Sequence, residues 1–316
     1  MPRTFLDDLN QFGPESTVRV SLDEARAYCA RLTASHYENF SVVTWLTPRY
    51  LRPAFASVYS FCRWSDDLGD EVGDRDLSRI LLQWWRGELR DLYDGKTPGH
   101  PVMVALKATV DEFAIPINPF LALISAFEQD QDVLEYETYE QLLDYCTRSA
   151  DPVGHLVLYL GRCFNPENAW LSDKICAALQ LANFWQDVSR DLDIGRVYLP
   201  REDRERFSYP ESDLRRKRFT PEFASLLKFE VDRTRTLFAE GRPLIDRMPR
   251  ALAVDVDLFS RGGLAILDRI ERQDYDVLSS RPRLGKVAKV GLLLRALISR
   301  AGVPGRSTPI VHAGRG

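Results

Sequence analysis

Apolar positions recur along this chain at the 3.6-residue spacing of a helix. Leu51, Phe55, Val58, Tyr59 and Cys62 form one stripe, and Leu171, Ile175, Ala178, Leu179 and Ala182 a second. Phe223, Leu227, Val231, Thr234 and Phe238 form a third, in which the threonine is the weak member. No alternating run bounded by hairpin dipeptides argues for a sheet. Start signals agree with the stripes: Ser21-Leu22-Asp23-Glu24 is a capping box, and a proline in the first helical position follows Thr47, Asn118, Asp151, Asn165 and Thr220. The pattern predicts helices over 22–35, 48–72, 76–94, 101–114, 119–132, 138–162, 167–193, 221–247, 250–277 and 285–300. Residues 1–20 lack periodicity and are expected as a flexible leader, 21–301 as one all-α domain, and 302–316 as a loose tail. The charged stretch 193–213, with Gly195, Pro200 and Pro210, reads as a plain surface loop by default, with closure over the helix end before it as the alternative.

The 316 residues suffice for a large core, and a net charge of −4 with interspersed signs gives no footprint for nucleic acid. Five cysteines without a C-x-x-C pair and four scattered histidines suggest neither a disulfide framework nor a zinc site. Without a signal-like start or a run long enough to span a bilayer, the chain is expected to be cytoplasmic, with at most peripheral membrane contact. The last predicted helix, with Lys286, Lys289, Arg295 and Arg300 beside an apolar face, is explained better by packing than by lipid contact.

Two helix ends break the usual charge rule. Asp66 and Asp70 sit at i and i+4, and Asn183, Asp187 and Asp191 at i, i+4 and i+8, so each set makes one oxygen-bearing stripe turning only ~40° per member. Each stripe comes late in its helix, where the macrodipole is negative and like charges repel, which costs some tenths to about 1 kcal/mol. A hard cation such as Mg²⁺, bound by carboxylates and phosphate oxygens, would offset that cost. A solvated charged face is the plain alternative for either stripe alone; two similar stripes on two long helices weigh against it. Nucleotide-binding glycine motifs, a nucleophile elbow and EF-hand spacing are all missing, which leaves metal-assisted chemistry on a diphosphate. Tyr59, Phe61, Trp64, Phe184 and Trp185 flank the stripes; each is a core residue by default, and together they offer π faces to a cation.

Asp66-x-x-x-Asp70 preceded by Cys62-Arg63, then Gln180-x-x-Asn183-x-x-x-Asp187-x-x-x-Asp191 and Gly195-Arg196-Val197-Tyr198-Leu199-Pro200, together resemble the squalene/phytoene synthase family over roughly residues 22–300. His36-Tyr37-Glu38-Asn39-Phe40-Ser41, the Asn183–Asp187 stretch and Ser260-Arg261-Gly262-Gly263-Leu264-Ala265-Ile266-Leu267 are similar to its hopanoid-pathway branch, the hydroxysqualene synthases. The resemblance implies a single-domain isoprenoid synthase helical bundle with a central cavity. Asp66, Asp70, Asn183, Asp187 and Asp191 would hold Mg²⁺, and Tyr145 would stand near the ionising centre. His36, Phe40, Tyr59, Arg63, Gln180, Arg196 and Tyr198 would contact the prenyl diphosphate.

Three positions depart from the wider pattern: Ser149-Ala150-Asp151-Pro152-Val153-Gly154 replaces Val-Ala-Gly-Thr-Val-Gly, Glu38 replaces a basic residue, and Gly263 replaces a tyrosine. These departures argue against ordinary two-substrate condensation. The expected reaction is ionisation of presqualene diphosphate with capture by water to give hydroxysqualene, coupled to other enzymes of a squalene pathway. The alternatives are head-to-head condensation of two farnesyl diphosphates and a non-catalytic scaffold of the same fold.

Overall fold

Asn165 caps, and Pro166 opens, the longest described helix of the computed structural model, Pro166–Asp193, against which Tyr139–Ser149, Asp151–Leu160, Pro221–Gly241 and Arg250–Arg272 pack. The structure describes residues 4–35 and 47–283. In chain order the helices are α1 (Phe5–Phe12), α2 (Leu22–Ser35), α3 (Arg52–Asp70), α4 (Arg75–Tyr93), α5 (Pro101–Phe113), α6 (Asn118–Gln129), α7 (Tyr139–Ser149), α8 (Asp151–Leu160), α9 (Pro166–Asp193), α10 (Arg201–Arg206), α11 (Glu211–Arg215), α12 (Pro221–Gly241) and α13 (Arg250–Arg272), with a 3₁₀ turn at Arg242–Asp246. The all-α expectation holds: among the described residues the only β pairing is an isolated bridge between Glu135 and Val197.

The central helix α9 joins two apolar cores. Leu171 and Ile175 near its start belong to a core shared with α1 to α6 and α8, while Leu181, Phe184, Trp185 and Val188 belong to one shared with α7, α12 and α13. Thr234, the weak member of its stripe, is buried because it accepts a hydrogen bond from Trp185 Nε1 at 2.8 Å and donates to the Glu230 carbonyl. Close approach of α9 and α12 depends on Gly241, where a Cβ would lie 2.8 Å from the Leu171 carbonyl oxygen and 3.0 Å from the Ile175 nitrogen. Those are backbone atoms that cannot swing aside, so Gly241→Ala is expected to cost about 1–3 kcal/mol in urea unfolding.

Several boundaries differ from the periodicity. The helix expected over 48–72 starts at Arg52, because Thr47-Pro48 forms a turn closed by Leu51 N–H on the Pro48 carbonyl, and Pro53 supplies the helix start. The single helix expected over 138–162 is two, broken at Ala150, since Pro152 has no N–H to continue the ladder. In the same way Pro243 ends α12 at Gly241, short of 247. The start of the chain is not a loose leader: Phe5–Phe12 is a helix with a Thr4–Asp7 capping box, Phe12 is buried, and Asp8 accepts from Tyr28 Oη at 2.6 Å. The segment 193–213 contains the short helices α10 and α11. The helix expected over 285–300, the tail from Gly302, and His36 and Phe40 lie outside the described residues. No described helix is long and apolar enough to cross a membrane.

One buried acid makes a testable load on the fold. Asp255 on α13 is buried and neither carboxylate oxygen has a hydrogen-bond partner, so burial pushes its carboxyl up to about 7. A carboxyl raised above its unfolded value contributes stability that is complete below about pH 4 and lost as pH rises through 7. Asp255→Asn is therefore expected to leave the melting temperature nearly unchanged at about pH 3.5 and to raise stability at pH 8 by on the order of 4 kcal/mol. Equal effects at both pH values would contradict this.

Candidate active site

The first stripe is built by the C-terminal turns of α3. Phe61, Trp64 and Leu68 anchor the helix in the core, which turns Arg63, Asp66 and Asp70 outward on the opposite face. Arg63 donates from Nε to Asp67 Oδ2 at 3.0 Å and from Nη1 to Asp66 Oδ2 at 3.2 Å. Burial raises the Asp66 carboxyl; Arg63 opposes the rise and Asp70 adds to it.

The second stripe is built the same way on α9. Phe184, Trp185 and Val188 face the core, and Asn183, Asp187 and Asp191 lie on the more open side. Asp187 is gripped by Arg281 through Nε and Nη2, the latter at 2.7 Å from Oδ2, with Arg190 Nε 3.8 Å away. Burial and then the Asp187 charge push the Asp191 carboxyl up to about 7, against the pull of Arg196, Arg281 and Arg190.

What joins the stripes is the turn after α9. Gly195, at φ 79°, lets the chain reverse, Arg196 N–H bonds the Asp191 carbonyl at 2.8 Å, and Val197 N–H bonds the Leu134 carbonyl at 2.7 Å. The turn thereby reaches the loop between α6 and α7 and brings Arg196 Nη2 to 3.1 Å from Asp70 Oδ1. Arg196 thus bonds the end of each stripe, Asp70 through its guanidinium and Asp191 through its backbone N–H, so the two stripe ends flank the space around Arg196. Its charge also acts on Asp66 and on Asp130.

Tyr145 and Tyr198 stand beside that space. Tyr145 Oη donates to Asp130 Oδ2 at 3.0 Å, and burial keeps the phenol well above its ordinary pKa of 10. Phe184 and Tyr198 stack face to face with centroids 3.7 Å apart, and Tyr145 lies 6.3 Å from each. Tyr59 is half-buried near Arg63, Asp66 and Asp67, and Gln180 is half-buried one turn before Phe184. Phe61, Trp64 and Trp185 are fully buried in the core and offer no face to a ligand.

Sequence reasoning missed Asp67, Asp130 and Arg281. Asp67 is buried and paired with Arg63; its carboxyl is pushed to about 7, mainly by burial and against the Arg63 charge. The available signal was its i+4 spacing from Arg63. Asp130 is buried with its carboxyl pushed to about 6 by burial, opposed by Arg196 and the Tyr145 hydrogen bond. It lies just past the end of α6, in a run of alternating Gln and Asp that carries no helical spacing. Arg281 follows α13 in an irregular segment and has no local signature.

The donor set fits Mg²⁺: hard carboxylate oxygens, crowded and partly desolvated, now balanced by arginines. Among the described residues no three His, Cys, Asp or Glu side chains form a ready-made cage. Ions here would complete their shells with diphosphate oxygens and water, as Mg²⁺ commonly does.

A family model for squalene/phytoene synthase matches residues 33–288. The chain is 32% identical over 280 residues to the 15-cis-phytoene synthase of Synechocystis, covering 85% of this chain and 83% of that protein. It is 29% identical over 283 residues to the presqualene diphosphate synthase of Rhodopseudomonas palustris, covering 89% and 99% respectively. The crystal structure of squalene synthase HpnC from Alicyclobacillus acidocaldarius superposes with a TM-score of 0.77 at 47% identity, covering 82% of this chain and 97% of that one. The match spans both stripes and the turn that joins them, and the chain belongs to the squalene/phytoene synthase family.

Proposed function

We propose that the protein ionises presqualene diphosphate with Mg²⁺ and lets water capture the rearranged cation, giving hydroxysqualene and free diphosphate. The observation that carries this reading is the Arg196–Asp70 contact, which ties the turn after α9, the helix of one stripe, to the end of α3, the helix of the other. Asp66 and Asp70 from α3, and Asn183, Asp187 and Asp191 from α9, would hold the ions. When bound, Mg²⁺ supplies neutralisation of the charge that builds on the leaving diphosphate.

The chain's own residues do the rest. Arg63, Arg196 and Arg281 already pair with the carboxylates, and each can turn a guanidinium toward phosphate oxygens when ions take its place. Tyr145 stays protonated with its single hydroxyl hydrogen on Asp130, so it holds that buried carboxyl in place beside the stripes and does not act as a base. Phe184 and Tyr198 cover each other's inner faces, so only an outer face of that stack would be left to offer π density to a cation without a basic lone pair. Gln180 and Tyr59 are assigned to the substrate, with His36 and Phe40 assigned on the family resemblance alone.

Support for a squalene-forming branch comes from the 47% identity to the structure of squalene synthase HpnC, and for the departure from ordinary condensation from the late helix. At Gly263 a Cβ would lie 2.4 Å from Phe238 Cζ and 3.0 Å from Leu179 Cδ2, so no tyrosine can stand there without repacking. The second reading, condensation of two farnesyl diphosphates, is favoured by the phytoene and presqualene diphosphate synthases among the relatives. Supplying each diphosphate separately, with and without Mg²⁺, and analysing products by mass spectrometry separates the two. Alcohol from presqualene diphosphate supports the proposal; turnover of farnesyl diphosphate alone, with no alcohol from presqualene diphosphate, replaces it with condensation. The proposed setting is cytoplasmic, with peripheral membrane contact and substrate received from another enzyme of the pathway.

A further inference from the structure

Helical serines of this protein find partners for their hydroxyls, several of them on the carbonyl four residues back. Ser65 does so on Phe61, Ser125 on Leu121 and Ser225 on Pro221, each at 2.9 Å, and Ser260 on Val256 at 2.8 Å. Ser149, the last residue of α7, departs from this habit. Its hydroxyl oxygen is shielded from solvent and has no hydrogen-bond partner, although the Tyr145 carbonyl lies four residues back.

The position gives that unpartnered hydroxyl a meaning. Ser149 is one helical turn beyond Tyr145 on the same face of α7, and Tyr145 Oη is committed to Asp130 beside the carboxylate stripes. The helix then breaks at Ala150, and Asp151 Oδ1, the next polar atom along the chain, is buried without a partner as well. Buried polar groups left open in this way are met in proteins chiefly by ordered water or a ligand. A hydroxyl is also the right group to hold a water next to a cation: it both donates and accepts, and at neutral pH it is not a base strong enough to take a proton from carbon.

We propose that Ser149 is the positioning residue for the water that captures the carbocation, an assignment that rests on the ionisation reading above. The carbon–oxygen bond to diphosphate breaks with its electron pair leaving on diphosphate. After rearrangement the water oxygen forms the new carbon–oxygen bond, and its surplus proton passes to the released diphosphate. Ser149 orients the attacking oxygen and takes no net proton. A side chain without a hydroxyl cannot do this, so the residue also sets water capture against proton loss.

The test uses the full-length enzyme with Mg²⁺ and presqualene diphosphate, comparing wild type with Ser149→Ala, Ser149→Val and Ser149→Thr. Diphosphate release and the ratio of alcohol to hydrocarbon product are measured together, with thermal melting as a check on folding. Ser149→Ala and Ser149→Val should release diphosphate within about three-fold of wild type while the alcohol fraction falls about ten-fold or more, and Ser149→Thr should restore it. An unchanged alcohol fraction in Ser149→Ala overturns the assignment alone. So does a parallel loss of release and alcohol in all three variants, which marks a structural role. Diphosphate release without alcohol by the wild type overturns the ionisation-and-capture reading itself, and this assignment with it.

Discussion

Asp187→Ala is expected to lower Mg²⁺-dependent diphosphate release by about 10²–10³-fold or more while leaving helix content unchanged. Asp187 is the middle member of the α9 stripe, mostly buried, and its carboxylate faces Arg281 in a two-pronged pair with Arg190 nearby. Removing it deletes the proposed ligand that lies between Asn183 and Asp191 and frees Arg281 from its pair with Asp187. Asp187→Asn separates the two effects, because the amide keeps an acceptor for Arg281 but not the charge that holds a divalent ion. If charge is what matters, Asn should be nearly as damaging as Ala, and raising Mg²⁺ should recover part of the rate in Asn only. Diphosphate release within about ten-fold of wild type in Asp187→Ala would remove the metal role and favour a scaffold of the same fold.

Trp64→Ala should be the most damaging change to stability, costing about 3–5 kcal/mol in urea unfolding. The indole is 1% exposed, stacks on Trp85 at 5.5 Å and meets Phe5 at 5.2 Å and His100 at 4.3 Å edge to face. Its Nε1 donates to Tyr28 Oη at 2.9 Å, and Tyr28 in turn donates to Asp8, so the ring also ties α1 and α2 to α3. Trp64 lies between Arg63 and Asp66, and its anchoring fixes how α3 is rotated toward the site. Trp64→Phe keeps the ring and loses the donor, and should cost about 1–2 kcal/mol. A cost below about 1 kcal/mol for Trp64→Ala would mean that this aromatic cluster does not set the pose of α3.

Both of these residues sit on helices whose periodicity was readable, because long stripes capped by Asn165-Pro166 or broken by Gly195 state their own limits. The carboxylate stripes were readable for the same reason: helix spacing alone puts Asp66 beside Asp70 and Asp187 beside Asp191. Shorter signals were weaker. The α1 helix has Phe5, Leu9 and Phe12 at helical spacing behind a Thr4–Asp7 box, yet so short a run becomes a helix only by docking on the core. The break at Ala150 was announced by Pro152, but an apolar face continuing across it, through Leu142, Leu156 and Leu160, masks the interruption.

Residues joined by tertiary structure were the hardest to read. Asp130 matters because Val197 pairs with the loop beyond α6 and so carries Arg196 toward it. Nothing in the local sequence around Asp130 records that meeting. Arg281 is similar, reaching Asp187 from 94 positions away along the chain. Arg196 could be named only through its motif, and the reason for the motif is visible in the fold: the glycine turn aims the arginine from the second helix end at Asp70 on the first.

The most direct measurement is a crystal structure of the full chain soaked with Mn²⁺ in place of Mg²⁺ and a non-hydrolysable thio-diphosphate prenyl analogue, with the metals located by anomalous scattering. The account predicts ions on both the Asp66/Asp70 side and the Asp187/Asp191 side, bridged by oxygens of one diphosphate, with Arg196 turned from Asp70 toward those oxygens. A diphosphate bound to one stripe alone, or metal peaks remote from both, would contradict it.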